Sequence, residues 1–262
     1  MGEGRFRGKL MPKVLLIGGT DSSGGAGLVA DIETIINLGG TPTISISSIT
    51  AQTNAELRKS HAVELEIFEE QLNTNVSTGI DAIKIGVLPT PELTNAVVNF
   101  LKVHPCKKVV LDPVVYSSSG GLLVAEDTLD VMKKKLFPLC SLITPNLEET
   151  SILIGRNSNI MNNPEDVSGI FFSHGANAVL IKGGHAKENI CKDFLIQKDN
   201  DLLVFKTERK QGATEIRGTG CRLASAIAFF LASGISLNQA IEKGRHYLQS
   251  FMLGKLCLQN ES

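Results

Sequence analysis

The stretch KVLLIGGTDSSGGAGLVADIETIINLGG, residues 13–40, changes its hydrophobic period in the middle. KVLLIG (13–18) is an unbroken apolar run of strand length, whereas AGLVADIETIINLG (26–39) spaces Leu28, Ile32, Ile35 and Ile36 as one helix face and stops at Gly39. A strand, a glycine-rich loop and a helix in that order open a βα unit. The pattern recurs downstream. TPTISISSIT (41–50), DAIKIG (81–86), KKVVLD (107–112), SLITP (141–145) and AVLIKG (178–183) read as strands, several continuously apolar, as strands covered on both faces are. PELTNAVVNFLKV (91–103) begins with Pro91 at a helix start and repeats Leu93, Val97 and Leu101. The alternation predicts an α/β fold with a mainly parallel sheet and helices on both faces. KDFLIQ (192–197) and LLVFKTER (202–209) flank KDND and predict an antiparallel hairpin at one edge. With no repeat, low-complexity tract or linker, residues 13–255 are expected to form one domain between a basic tail, 1–12, and a C-terminal tail, 256–262.

Composition narrows the partners. The chain has 262 residues and a formal net charge of −1, with 42% hydrophobic and 20% charged residues. No basic run exceeds Lys133–Lys135, so the electrostatic footprint of a nucleic-acid binder is missing. Five cysteines stand far apart, odd in number and without a CxxC pair. That argues against a disulfide framework or a zinc site and points to the cytoplasm. VLLIGG is too short to span a membrane, and Phe6 stands where a myristoylation signal at Gly2 needs Ser or Thr. Small neutral or anionic ligands are the expected partners, with no nucleic acid and no membrane.

On a parallel sheet, ligands sit beyond the carboxyl ends of the strands. The loop after the first strand, GGTDSSGGAG (18–27), has five glycines and a helix behind it. It can let a ligand approach the backbone, or it can be a tight turn with Asp21 or Ser22 as an ordinary cap. It is neither a P-loop nor a dinucleotide fingerprint. After the fifth strand, TPNLEE (144–149) sets Asn146 as N-cap and Glu149 at the third helical position. The same carboxylate can hold a hydrated Mg²⁺ against phosphate. Asp112, just past a strand, can meet metal or phosphate or serve as a turn residue before Pro113. Lys182 and His185 can face the same crevice or the solvent.

EIRGTGCRLASAIAFFLASG (215–234) turns from a glycine-punctuated start into a buried helix marked by Leu223, Ile227, Phe230 and Leu231 and ended by Gly234. Gly218, Thr219, Gly220 and Cys221 lie in its first turn, where backbone N–H groups lack intrahelical acceptors and attract anions. A thiol there feels the positive end of the helix dipole, so its pKa is expected below the ordinary ~8.5. Cys221 is then a candidate base or nucleophile, the alternative being a small buried hydrophobe.

GGTDSSGGAG, AQT (51–53), KIGVL (84–88), VLDPVV (110–115), TPNLEE, LIKGGH (180–185) and RGTGC (217–221) follow one another in the order of a single family. Over about residues 13–252 the chain closely resembles the hydroxymethylpyrimidine/phosphomethylpyrimidine kinases of thiamine biosynthesis, within the ribokinase-like superfamily. The resemblance implies a three-layer sandwich, a homodimer and a kinase dependent on ATP and Mg²⁺. Such a kinase phosphorylates 4-amino-5-hydroxymethyl-2-methylpyrimidine and then its monophosphate. It also implies a substrate pocket formed by Gly19, Asp21, Gln52, Val87 and Val115. Asn146, Lys182 and Arg217 would face ATP and its phosphates, and Glu149 and Asp112 would face the metal. Cys221 would take the hydroxyl proton, where most of the superfamily has an aspartate, while the amides of Gly218, Thr219 and Gly220 stabilise the transferring group.

Departures from the family pattern bear on preference and rate. Arg217 replaces a usual His, Val87 a common Met, Glu215 and Ile216 a more polar pair, and VVYSSSG (114–120) lacks the usual Lys. Two other readings remain open: a pyridoxine or pyridoxal kinase, whose substrate is also a hydroxymethyl group on an aza-aromatic ring, and a non-catalytic pyrimidine-binding sensor.

Overall fold

The computed structural model describes residues 11–77, 79–117, 120–155, 160, 161, 163–184, 190–198, 201–208 and 216–260. Among them are nine strands: β1 (Lys13–Asp21), β2 (Thr41–Gln52), β3 (Leu57–Ala62), β4 (Ala82–Ile85), β5 (Val109–Leu111), β6 (Leu142–Ile143), β7 (Ala178–Lys182), β8 (Ile190–Gln197) and β9 (Leu203–Glu208). They form one sheet in the order β3-β2-β1-β4-β5-β6-β7-β8-β9. The six strands from β2 to β7 run parallel, while β3 at one edge and the β8–β9 hairpin at the other are antiparallel.

Eight α-helices complete the layers: α1 (Gly27–Asn37), α2 (Leu65–Val76), α3 (Pro91–Val103), α4 (Glu126–Val131), α5 (Leu147–Ile154), α6 (Glu165–Ser173), α7 (Thr219–Ala232) and α8 (Leu237–Asn260). Successive side chains of a strand point to opposite faces, and β1 uses both. Leu15 and Ile17 pack with Phe68 of α2, Val97 of α3 and Phe171 of α6. Val14 and Leu16 join Leu28 of α1, Ile227 of α7 and Ile241 of α8 on the other side. The continuous apolar runs are thus the middle layer of a three-layer α/β sandwich.

Local chemistry sets the helix starts. Thr90 caps α3 by accepting from the Leu93 amide, with Pro91 at the first helical position. Asn146 and Glu149 form a reciprocal capping box on α5. Gly218 begins α7 in the left-handed region (φ 70°), and a methyl group there would come within 2.3 Å of the Gly25 carbonyl oxygen. Only glycine lets the last loop lie this close to the first.

Several boundaries differ from expectation. β1 continues to Asp21 because its register with β2 shifts between Gly18 and Gly19, which carries the strand past its apolar part. β3 has no signal in the sequence, since LRKSHA is an exposed edge with no buried alternation. The C-terminal tail expected from 256 is helical through Asn260, because KLCLQN after Gly254 contains good helix formers and no breaker. Residues 1–10 of the expected N-terminal tail lie outside the described residues. No helix among the described residues is long and apolar enough to cross a membrane.

Candidate active site

The strand order reverses between β1 and β4, because the chain moves outward to β2 and β3 and then returns to the far side of β1. A cleft of about 520 Å³, including its open mouth, lies at that switch point. This is where parallel sheets place ligands. Gly19, Asp21, Gln52, Val87 and Cys221 line it, as does Arg217. Tyr116 and Leu123, from the loop beyond β5, add apolar surface suited to a flat ring.

One wall is a network centred on Asp21. Its Oδ1 accepts from the Ser23 amide at 2.8 Å and the Ser23 hydroxyl at 2.7 Å, and its Oδ2 accepts from the Ala26 amide at 2.9 Å. Arg217 Nη2 stands 3.4 Å from the same Oδ2. The carboxylate therefore braces the glycine loop. Its expected hydrogen bond to a bound pyrimidine would need capacity already taken up by four protein donors. Arg217 also departs from the expected grouping. Its guanidinium reaches Ser23, Asn54 and Gln52 on the wall formed by the first glycine loop and the end of β2 rather than Asn146 and Lys182.

Beneath the cleft, Asp31 and Lys84 form an ion pair of 2.7 Å with each side chain 1% exposed. Ser225 donates to the other Asp31 oxygen at 2.7 Å. Burial opposes the Lys84 charge, yet Asp31, Cys221 and Asp112 hold its pKa above the ordinary value. Burial pushes Asp31 up, offset by Lys84 and Ser225. Both residues line the cleft, and neither was anticipated as a site residue. The sequence did carry a signal, because a lysine inside the apolar strand AIKI must find a buried carboxylate.

Cys221 enters the cleft from the first turn of α7, whose N-cap Gly218 has no side-chain hydrogen bond. The expected low pKa is not what this environment produces. Burial pushes the thiol up to about 11, against the lowering influence of Lys84 and the Gly27 backbone. Desolvation of the thiolate outweighs the favourable charge at the helix start.

A second charged cluster lies past α7, outside the cleft lining. Lys182 Nζ stands 2.6 Å from Asp112 Oδ1, which also accepts from Thr144 at 3.3 Å. Glu149 Oε2 accepts from the Asn146 amide at 2.7 Å. Burial first, then the Asp112 charge, raise the Glu149 pKa to about 7, while Lys182 lowers it. A methyl group on Gly220 would lie 3.1 Å from Lys182 Nζ and 3.8 Å from Asp112 Oδ2. The bare first turn of α7 thus stands between the cleft and the charged cluster, with Gly218, Thr219, Gly220 and Cys221 along it.

Val115 does not line the cleft, because the loop after β5 buries it (3% exposed) and presents Val114 instead. His185 and Glu215, with Ser118 and Ser119 of the VVYSSSG segment, lie outside the described residues. Among the described residues no group of three or more His, Cys, Asp or Glu is arranged as a metal cluster.

This geometry has relatives. A family model described as phosphomethylpyrimidine kinase matches residues 21–261. The rice (Oryza sativa subsp. japonica) "Probable thiamine biosynthetic bifunctional enzyme, chloroplastic" is 33% identical over 241 residues, which are 91% of this chain but only 44% of that protein. The chain therefore spans less than half that relative's length. A phosphomethylpyrimidine kinase structure from Clostridium difficile 630 superposes with a TM-score of 0.80 at 30% identity, covering 92% of this chain and 99% of that one. A pyridoxal kinase from Staphylococcus aureus, in complex with AMP-PCP and pyridoxal, gives 0.80 at 29% identity, covering 90% and 85%. A match from Asp21 past the end of α8 takes in most of the cleft and the charged cluster beyond it, and on that ground the chain belongs to the phosphomethylpyrimidine kinase family of ribokinase-like phosphotransferases.

Proposed function

We propose that this kinase transfers the γ-phosphoryl group of ATP to 4-amino-5-hydroxymethyl-2-methylpyrimidine and then to the monophosphate, as a step of thiamine biosynthesis. One observation carries the reading: the open N-terminus of α7 brings Cys221 into a cleft walled by Gln52, Val87 and Tyr116, with Lys182 and Asp112 on its far side. In the first reaction the hydroxymethyl oxygen bonds to phosphorus, the bond to ADP breaks, and the alcohol proton leaves. The amides of the first α7 turn hold negative charge on the transferring group, as an anion site at a helix start does. Lys182 pairs with a phosphate oxygen.

Cys221 is placed to receive the alcohol proton. Because its thiol is protonated near neutral pH, it takes that proton only from the minor thiolate form, which Lys84 favours. Phosphoryl transfer through a loose transition state makes modest demands on a base, so positioning and charge supply most of the catalysis. Asp112 Oδ2 and Glu149 Oε1 take no hydrogen bond among the described residues. These hard oxygen donors suit a hydrated Mg²⁺. When bound, that ion would neutralise charge on the phosphate oxygens.

The five cysteines are unpaired, which supports a cytoplasmic setting. A homodimer, implied by the family resemblance, has the open β3 edge as a surface to cover, and sedimentation tests it. Pyridoxal is a second reading, favoured by the likeness to the S. aureus enzyme. Phosphorus NMR of a reaction with the pyrimidine alcohol tests the main one. It predicts one new phosphate ester per ADP, and ADP without an ester would refute it.

A further inference from the structure

Arg217 has five N–H donors in a fixed planar fork and no acceptor. Nη1 is spent on the Ser23 hydroxyl at 2.6 Å, the Asn54 side-chain oxygen at 3.0 Å and the Thr53 carbonyl at 3.2 Å. Nη2 faces Asp21 Oδ2 and Gln52 Oε1, each at 3.4 Å. The remaining N–H, on Nε, is buried without an acceptor. Since the side chain is only 12% exposed and tied to two loops, the fork cannot turn away without breaking several bonds.

This has a chemical consequence for Gln52. An amide that meets a guanidinium must turn its oxygen toward it, because nitrogen facing nitrogen would set donor against donor. The Gln52 backbone is fixed as well: Ser22 Oγ donates to its carbonyl at 2.9 Å and accepts from its amide at 2.8 Å. Gln52 Nε2, with no partner among the described residues, is the end left for a ligand in the cleft that Gln52 lines. Asp21, the carboxylate on this wall, is already met by four donors.

We infer that Arg217 sets the polarity of the ring-binding wall, making it a hydrogen-bond donor that selects heteroaromatic alcohols by an acceptor on the ring edge and leaves an exocyclic amine unread. The inference rests on the reading of the cleft as a ring-alcohol site and adds the edge chemistry that it recognises. A ring nitrogen or a phenolate oxygen satisfies such a wall. An amino group does not, so a pyrimidine enters with its ring nitrogen toward Gln52 Nε2. Arg217 is a specificity-determining residue that acts through Gln52.

The test compares 4-amino-5-hydroxymethyl-2-methylpyrimidine with the same alcohol lacking the 4-amino group. Calorimetric Kd values are measured for the wild type, Arg217→Met and Gln52→Glu, and turnover is measured separately. The wild type is expected to bind the two ligands within about fivefold of each other, since the amine makes no directional bond. Arg217→Met frees the amide to present its oxygen, so the preference for the amino ligand rises on the order of tenfold. Gln52→Glu has no donor to offer, and the ligand lacking the amine should bind about tenfold more weakly or worse. This second variant keeps the test alive if Arg217→Met does not fold. A wild-type preference for the amine above about 100-fold, a ratio unchanged in Arg217→Met, or full binding by Gln52→Glu would each overturn the inference. Binding ratios as expected without turnover would remove the kinase reading and leave the inference standing; turnover with the opposite ratios would do the reverse.

Discussion

Two lysine–aspartate pairs stand near the carboxyl edge of the same sheet, and they differ in their access to water. Lys84 and Asp31 are 2.7 Å apart with 1% of each side chain exposed, and Ser225 satisfies the second carboxylate oxygen. Lys182 and Asp112 are 2.6 Å apart, but Lys182 is 12% exposed and Asp112 keeps an oxygen free of hydrogen bonds among the described residues. The first pair lies between α1, β4 and α7 at the floor of the cleft, with both carboxylate oxygens already met by protein donors. In the proposed reaction the second hands its lysine to a phosphate and its aspartate to a cation. The sealed pair is a fixed charge beneath the cleft, and the open pair is the part to which the proposed reaction assigns phosphate.

Breaking the sealed pair has the largest expected effect. Lys84→Met leaves Asp31 unpaired in the core and should lower stability by about 3–5 kcal/mol in urea denaturation. Pairing it with Asp31→Leu should recover much of that loss. A single-variant loss under about 1 kcal/mol would mean that the pair is not sealed.

Lys182→Met sharpens the contrast. Stability should fall by only about 1–2 kcal/mol, while ATP-dependent turnover drops on the order of 100-fold or more. Equal stability losses in the two lysine variants would erase the distinction. Cys221→Ala, between the pairs, should cut turnover on the order of 100-fold with pyrimidine binding nearly intact. Wild-type kcat/KM should climb from pH 7 to 10, because the thiol pKa is held up at about 11 by burial. A plateau reached below pH 8 would show a base other than this thiol.

A further effect is a pH dependence of stability beside the open pair. Glu149 titrates at about 7 in the folded chain, above its ordinary value of 4.5. A raised folded pKa adds stability that is fully present below 4.5 and lost as pH rises through about 7. The wild type should therefore lose stability relative to Glu149→Gln between pH 5 and 8 when no metal is added. Parallel curves would refute this.

Much of this arrangement could be read from the sequence because it is written in period and punctuation. All eight expected strand runs, the two of the edge hairpin included, became strands, and the Asn146–Glu149 cap could be named from spacing alone. What stayed hidden depends on contacts across the chain. β3 is an exposed edge without alternation, and its pairing to β2 is invisible in LRKSHA. The resemblance implied that Arg217 would face phosphate, yet Asp21 and Ser23, almost 200 residues earlier, fix it on the other wall. Cys221 sits at a helix start, as its neighbours indicated, but its pKa is set by burial that the local sequence does not show.

The central claim is that the sealed pair, the open pair and the α7 turn between them form a phosphoryl-transfer site for a ring alcohol. ADP release with Mg²⁺ and ATP, comparing 4-amino-5-hydroxymethyl-2-methylpyrimidine, its monophosphate and pyridoxal at equal concentrations, tests it most directly. Turnover on the first two, lost in Lys182→Met, is the predicted result. Binding of all three without ADP release, or turnover on pyridoxal alone, would contradict it.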